Sequence, residues 1–147
     1  MRDVSTSNNQ PVVAAGLKAD AGDLKEARQQ LEPLDARARL LWAHERFGSG
    51  FALTTSFGIQ SSVLLHVLSG MDRGRDIPVI WVDTGYLPPE TYRYAEDLCQ
   101  RFDLNLHIAQ SSSSAARMEA LHGRLWESGV VEDMELYLKI RKVEPLE

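Results

Sequence analysis

Residues 51–68 read FALTTSFGIQSSVLLHVL and contain three patterns in succession. The first five residues form a short apolar run that is typical of a buried strand. Residues 56–62 carry three serines and one glycine, a composition typical of a loop. Residues 63–68 are mostly apolar and favour a helix packed on a core. The stretch therefore predicts a strand that leads into a helix through a short polar loop.

The same order of strand and helix continues downstream. Residues 77–82, IPVIWV, are continuously apolar, which predicts a second strand covered on both faces. A helix is expected after Pro88 and Pro89, and the alternating residues 104–108 predict a third strand. The apolar face of that helix comprises Tyr92, Ala95, Leu98, Cys99 and Phe102. This order predicts an α/β fold, with a parallel sheet and helices on both of its faces.

Helical patterns also precede the first strand. Pro33 and Asp35 mark the start of a helix that ends at the glycines of residues 48–50. Its apolar stripe comprises Leu34, Ala38, Leu41 and Trp42. We therefore expect N-terminal helices, beginning near Leu24, to pack on the domain that follows.

The domain organisation follows from these patterns. Residues 1–23 are polar with weak periodicity and are predicted to be a flexible N-terminal segment. Residues 24–147 are predicted to form one α/β domain, with further helical stretches near 117–126 and 132–140. Three strands leave an edge of the sheet bare, so the domain is expected to be incomplete at its C-terminus. A bare edge also favours self-association, for example as a homodimer.

Composition excludes several classes of protein. The 147 residues carry a net charge of -5 and no basic run, which argues against nucleic-acid binding. The single cysteine, Cys99, excludes an internal disulfide and a metal site of several cysteines, and it suits a reducing compartment. No run approaches the roughly 20 apolar residues of a membrane span. A cytoplasmic protein is expected.

The loop of residues 56–62 has the composition of an anion site. Ligands of parallel α/β sheets bind outside the carboxyl ends of the strands, where this loop is predicted to lie. Its hydroxyls, Gly58 and the free N–H groups of the following helix can together hold a phosphate or sulfate. Ser61 and Ser62 can equally be ordinary helix caps, and composition alone leaves both interpretations open. The loop matches neither a Walker motif nor a dinucleotide-binding motif.

A second loop, residues 83–86 (DTGY), follows the next strand. It can present a carboxylate, a hydroxyl and backbone groups to a sugar or base. Considered alone, it favours a simpler interpretation, a strand-ending turn in which Asp83 bonds its own backbone.

Together, the two loops resemble the signatures of phosphoadenylyl-sulfate (PAPS) reductases. Residues 54–62, TTSFGIQSS, resemble the modified PP-loop of that family, and residues 81–92, WVDTGYLPPETY, resemble its second signature. Residues 123–127 and 142–146 are similar to later family stretches. The resemblance covers residues 51–146. It implies an adenine nucleotide alpha hydrolase-like (PP-loop) fold and a nucleotide-binding domain.

The resemblance also implies an activity and a set of site residues. The family reduces PAPS to sulfite and adenosine 3',5'-bisphosphate in assimilatory sulfate reduction, with thioredoxin or glutaredoxin as the reductant. The residues implied for the anionic end of the nucleotide are Thr55, Ser56, Gly58, Gln60, Ser61 and Ser62. Asp83, Thr84 and Gly85 would line the adenosine side, and Lys142 would neutralise phosphate or sulfate.

Two departures from the family pattern shape these expectations. The family's nucleophile lies in a Glu-Cys-Gly-Leu-His motif, and this chain has no matching motif. It also lacks the family's arginine-rich loop. Its single cysteine, Cys99, lies on the apolar stripe of a predicted helix, which favours a packing role. No catalytic residue is therefore assigned, and the fragment is expected to bind nucleotide without reducing it. Related adenylyl-sulfate (APS) reductases bind an iron–sulfur cluster through a cysteine pair, where this chain has Tyr137 and Leu138. No cluster or metal is expected, and the substrate is expected to be PAPS.

Two other functions compete with this one. ATP pyrophosphatase-type adenylyltransferases share the fold and grip pyrophosphate with Ser-Gly-Gly-x-Asp-Ser. This chain has Phe57 and Gln60 in place of one glycine and the aspartate of that frame, which weakens that alternative. The second competitor is a non-catalytic nucleotide-binding or assembly module.

Overall fold

The computed structural model describes residues 21–147. The chain divides after Pro33, and residues 21–33, which contain helix α1, are the described part of the first unit. The helices and strands are α1 (Ala21–Leu31), α2 (Ala36–Phe47), β1 (Leu53–Thr55), α3 (Ser61–Ser69), β2 (Val79–Asp83), α4 (Pro89–Phe102), β3 (Leu106–Gln110), α5 (Ala115–His122) and α6 (Val131–Leu138). A π-helical turn, Lys139–Val143, continues α6 directly. Within residues 21–147, no helix is both long and apolar enough to cross a membrane.

The predicted flexible segment, residues 1–23, lies mostly outside the described residues. Helix α1 begins at Ala21, three residues before the predicted helical start at Leu24. Helix α2 begins as predicted, with Asp35 as its N-cap, and the Asp35 carboxylate accepts a hydrogen bond from the Ala38 N–H at 2.8 Å.

The sheet is parallel, in the order β1-β2-β3, which confirms the predicted fold class. Strand β2 is central, so β1 and β3 are the edges of the sheet that the described residues form. Each strand begins two residues later than predicted, because backbone groups before it are used elsewhere. The Phe51 N–H bonds the Gly48 carbonyl in a 3-10 turn, and the Leu104 N–H closes the end of α4 on the Cys99 carbonyl.

One face of β2 packs against α3 and α4 and forms the core. Val79 is completely buried and Trp81 is 4% exposed. The helix residues that pack with them include Leu65, Leu68, Ala95 and Leu98. Residues Ile80 and Val82 on the opposite face are only half-buried, so the prediction of a strand fully covered on both faces is correct for one face alone.

Helix α2 packs against α3 through a different residue from the one predicted. Leu40 is buried in the core, whereas Leu41 is 46% exposed. The predicted stripe is therefore wrong at Leu41, whereas its other members, Leu34, Ala38 and Trp42, are half-buried. Two adjacent leucines fit an amphipathic pattern almost equally well, and the contact with α3 selects between them.

Candidate functional site

The loops that follow the three strands lie together at the carboxyl ends of the strands, which we call the carboxyl edge of the sheet. Parallel strands point their carboxyl ends the same way, and the register pairs Thr55 with Trp81 and Asp83 with Gln110. Neighbouring strands lie about 5 Å apart. The two loops that the sequence singled out are therefore direct neighbours, and a third loop, residues 111–114, lies beside them.

The loop between β1 and α3 is anchored by Phe57. Its side chain is 3% exposed, and its ring lies edge-on against Trp81, with 4.9 Å between the centroids. Its φ is 52°, which is uncommon for a bulky residue, and its N–H donates to the Thr55 hydroxyl at 3.1 Å. The buried ring and this hydrogen bond hold a tight turn that leaves Ser56 and Gly58 exposed.

The N-terminus of α3 has no side-chain cap. Gln60 occupies the N-cap position without a capping hydrogen bond, and the Ser62 hydroxyl donates to the Ile59 carbonyl at 2.8 Å. The Ser61 N–H donates to the Gly58 carbonyl at 2.9 Å. The first N–H groups of a helix lack intrahelical acceptors, and they carry the positive end of the helix dipole. The serines do not cap this helix, so its N-terminus is open to an anion.

The Asp83 carboxylate is held by three neutral donors. One oxygen accepts from the Gly85 N–H at 2.8 Å and the Tyr92 hydroxyl at 2.7 Å, and the other accepts from the Gln110 amide at 2.7 Å. Burial alone would raise the pKa of Asp83. The hydrogen bonds and the positive charge of Arg141 outweigh that effect and hold the pKa below its ordinary value.

This arrangement agrees with the turn interpretation of the second loop, because Asp83 does bond the backbone two residues ahead. Thr84 is buried and Gly85 is exposed. The φ of Gly85 is 77°, a region that favours glycine, and a Cβ there would lie 3.6 Å from the Ala115 Cβ. The main role of Asp83 in the structure is therefore to stabilise the conformation of this loop through its hydrogen bonds.

The predicted cation, Lys142, is exposed on the π-turn, and its neighbour Arg141 is buried. The Arg141 Nη1 donates to the Ser113 carbonyl at 2.8 Å, and the guanidinium lies 5.4 Å from the ring centroid of Tyr86. Sequence reasoning missed Arg141. The only available signal was its position beside Lys142, because a buried arginine cannot be distinguished from an exposed one by local pattern.

Tyr86, the ring beside this arginine, belongs to a cluster of three half-buried aromatic residues. Tyr86 contacts Trp126 at 4.4 Å between centroids, and Tyr137 lies 6.1 Å from Tyr86 and 5.6 Å from Trp126. The Tyr86 hydroxyl also donates to the Ala115 carbonyl at 3.2 Å, near the start of α5. The cluster connects the β2 loop, α5 and α6, so it stiffens the edge of the sheet on which the loops lie.

Cys99 is half-buried on α4, next to the core. Burial and the nearby Glu96 charge raise the pKa of its thiol. A raised pKa leaves little thiolate at neutral pH, and the thiolate is the nucleophilic form. The structure thus places Cys99 in a packing position.

Comparison with known families shows which protein family has these loops. The model of the phosphoadenosine phosphosulfate reductase domain matches residues 50–147, which include all three loops and the π-turn. The chain belongs to the phosphoadenosine phosphosulfate reductase family. The family resemblance that the two loop motifs indicated is therefore confirmed.

Curated relatives agree with this assignment. The phosphoadenosine 5'-phosphosulfate reductase of Synechococcus sp. is 55% identical over 123 residues, covering 84% of this chain and 52% of the relative. The reductase of Synechocystis sp. is 48% identical over 125 residues, covering 85% and 49%, and that of Xanthomonas euvesicatoria is 48% identical over 134 residues, covering 90% and 54%. The chain spans about half the length of these relatives.

A solved structure shows the same fold. The crystal structure of a PAPS reductase from Candida auris, in a phosphate complex, aligns with a TM-score of 0.74 at 26% identity. The alignment covers 88% of this chain and 61% of that chain. The phosphoadenosine phosphosulfate reductase fold thus extends over most of the present chain.

The structure brings most of the predicted site residues to one edge. Residues 55–62 surround the open end of α3, and residues 83–85 follow the adjacent strand. Lys142 lies on a separate element, and its connection to this edge runs through Arg141, whose contacts are with the β2 and β3 loops. The assignment of individual nucleotide contacts to these residues stays a prediction.

Proposed function

We propose that this chain forms the nucleotide half-site of an enzyme that reduces PAPS to sulfite and adenosine 3',5'-bisphosphate. The observation that carries the proposal is the uncapped N-terminus of α3 at the carboxyl edge of the sheet, in a chain of this family. An uncapped helix start offers N–H donors and a favourable dipole to an anion. The proposal assigns PAPS to this edge.

The residues take distinct roles in this proposal. The residues proposed to hold the anionic end of the nucleotide are Thr55, Ser56, Gly58, Gln60, Ser61 and Ser62. Thr84 and Gly85 line the adenosine side with backbone groups, and Asp83 shapes that loop because its own oxygens are already engaged. Lys142 is exposed and carries a cation for phosphate or sulfate.

The chemistry of the whole enzyme needs a thiolate. In the proposed reaction the thiolate attacks the sulfonyl sulfur, and the bond from that sulfur to the phosphate oxygen breaks. Adenosine 3',5'-bisphosphate leaves, and an S-sulfocysteine remains. A dithiol of thioredoxin or glutaredoxin then attacks the cysteine sulfur, releases sulfite and ends as a disulfide. Cys99 does not suit the nucleophile's role because its thiol is half-buried and its pKa is raised.

The proposed substrate is PAPS rather than APS, and no iron–sulfur cluster is proposed. The positions of the cluster-binding cysteine pair hold Tyr137 and Leu138. The Tyr137 ring contacts Tyr86 and Trp126, a packing role that supports this view.

Calorimetric titration of the chain tests the proposal. Adenosine 3',5'-bisphosphate should bind more tightly than adenosine 5'-phosphosulfate or ATP–magnesium. Ser61→Ala should raise the Kd for the bisphosphate about 10-fold, because a hydrogen bond to a charged group contributes about 1.5 kcal/mol or more. Ser69→Ala is the matched control, since Ser69 lies at the opposite end of α3 and bonds the His66 carbonyl. A preference for ATP–magnesium would contradict the reductase proposal and favour the adenylyltransferase.

A second prediction concerns Gly58. A Cβ at this position would meet only the Ser56 hydroxyl, at an ordinary 3.6 Å, so Gly58→Ala should leave the free energy of unfolding within about 0.5 kcal/mol of wild type. The same methyl group would occupy the space beside the proposed anion. We expect the Kd for the bisphosphate to rise at least about 10-fold, equivalent to about 1.4 kcal/mol.

The control for this prediction is Gly50→Ala, where a Cβ would meet nothing within 4 Å. Its stability and its Kd should both stay near the wild-type values. Unchanged nucleotide affinity in Gly58→Ala would mean that the anion does not approach this turn.

A further inference from the structure

Arg141 is the most deeply buried charged side chain among residues 21–147. It is 3% exposed, and its Nη1 donates to the Ser113 carbonyl at 2.8 Å. Its Nε and Nη2 atoms are buried and have no hydrogen-bond partner in the described chain. A buried group left unsatisfied in this way is rare in proteins and calls for an explanation.

Two neighbours compensate part of this buried charge. The guanidinium lies 5.4 Å from the ring centroid of Tyr86, and the Asp83 carboxylate is close enough for the positive charge to favour its ionised form. No carboxylate of residues 21–147 forms an ion pair with Arg141 within 4.0 Å. Burial of an unpaired charge is unfavourable, so stability alone does not account for an arginine here.

The backbone around Arg141 is also unusual. Helix α6 ends in a π-turn, Lys139–Val143, in which the Glu144 N–H bonds the Lys139 carbonyl. Such wide turns occur frequently at functional sites. In this turn Arg141 is buried and the next residue, Lys142, is exposed. The inward side chain therefore anchors the turn from which the outward one extends.

We propose that Arg141 is a positioning residue, whose hydrogen bond to Ser113 anchors the π-turn against the β3 loop so that Lys142 faces the nucleotide. The proposal rests on the function proposed above, in which Lys142 carries the cation for the substrate. In this proposal Arg141 itself does not touch the ligand, because its side chain is 3% exposed, its Nε and Nη2 atoms are buried and its Nη1 is bonded to the Ser113 carbonyl. Its effect on binding passes through its neighbour.

A double-mutant cycle tests this dependence. The Kd for adenosine 3',5'-bisphosphate is measured by calorimetry for wild type, Arg141→Met, Lys142→Met and the double variant. Urea unfolding of each chain sets conditions in which all four are folded. We expect each single substitution to raise the Kd about 10-fold, whereas adding Arg141→Met to Lys142→Met raises it less than about 2-fold.

A second cycle, with a neutral polar variant, covers the case in which Arg141→Met does not fold. Arg141→Gln is neutral and too short to reach the Ser113 carbonyl as the arginine does, so its Kd should rise at least about 3-fold on its own and less than about 2-fold when added to Lys142→Met. A structural role alone would change the unfolding midpoint and leave the Kd unchanged.

The outcomes separate the two proposals. Additive losses in the double variant, or a wild-type Kd in a destabilised Arg141→Met, would overturn the positioning role and leave the nucleotide site intact. If Arg141→Met does not fold, additive losses in the Arg141→Gln cycle overturn the role in the same way. If the wild-type chain binds no bisphosphate, the proposed function fails, and the role of Arg141 fails with it.

Discussion

Asp83→Ala is expected to lower the free energy of unfolding by about 4 kcal/mol, measured by urea unfolding of the whole chain. The substitution removes the common acceptor of the Gly85 N–H, the Tyr92 hydroxyl and the Gln110 amide. It also removes a negative charge that interacts favourably with the buried Arg141. Donors left without an acceptor and a charge left uncompensated are both strongly unfavourable in a protein interior.

Asp83→Asn is the matched control, because it keeps the shape and one oxygen acceptor while it removes the charge. We expect it to lose about 2 kcal/mol, between wild type and Asp83→Ala. An Asp83→Ala chain within about 1 kcal/mol of wild type would show that the three hydrogen bonds contribute little to the loop.

The contribution of the Asp83 carboxylate to stability depends on pH in a defined direction. In the folded chain the pKa of Asp83 lies below its ordinary value of 3.8. As the pH falls, the Asp83 carboxylate is therefore protonated in the unfolded chain before it is protonated in the folded chain. The stabilisation is complete above the ordinary value and is lost as the pH falls through the folded pKa. The stability difference between wild type and Asp83→Asn should therefore shrink below about pH 4. A constant difference down to the acid transition would contradict the lowered pKa.

Gly74→Ala is expected to lower the free energy of unfolding by about 3 kcal/mol. Gly74 is buried in the 3-10 turn between α3 and β2, and an added Cβ would fall on the Leu68 carbonyl oxygen and 2.9 Å from its carbonyl carbon. The obstacle is backbone at the end of a core helix, which cannot move aside as a flexible side chain can. Chemical denaturation measures the loss.

Gly50→Ala provides the comparison, since its Cβ would enter open space. Its stability should be equal to wild type or slightly higher, because alanine restricts the unfolded chain. If Gly74→Ala were as stable as Gly50→Ala, the close approach of this turn to α3 would be wrong.

The order of strands and helices was predictable from the sequence because each depends on contiguous residues. Residues 77–82 and 104–108 carry strand patterns, and Pro88 and Pro89 mark the start of α4, so local propensity and period were sufficient. Strand starts were less predictable. Phe51 and Leu104 are apolar and suit strands, yet their N–H groups close neighbouring turns.

Some features of the candidate site were likewise evident from the sequence, and others only from the structure. The family motifs, the loop after β1 and the position of Gly58 in that loop were determined by the sequence alone, because each lies within a short stretch of residues. Only the tertiary structure showed that α3 begins without a cap, that the partners of Asp83 include Tyr92 and Gln110, and that Arg141 is buried while Lys142 is exposed. The physical reason is separation along the chain. Asp83 and Gln110 meet because two parallel strands align. Arg141 reaches the Ser113 carbonyl because the π-turn after α6 packs near β2 and the loop after β3. Neither contact leaves a local pattern in the residues around it.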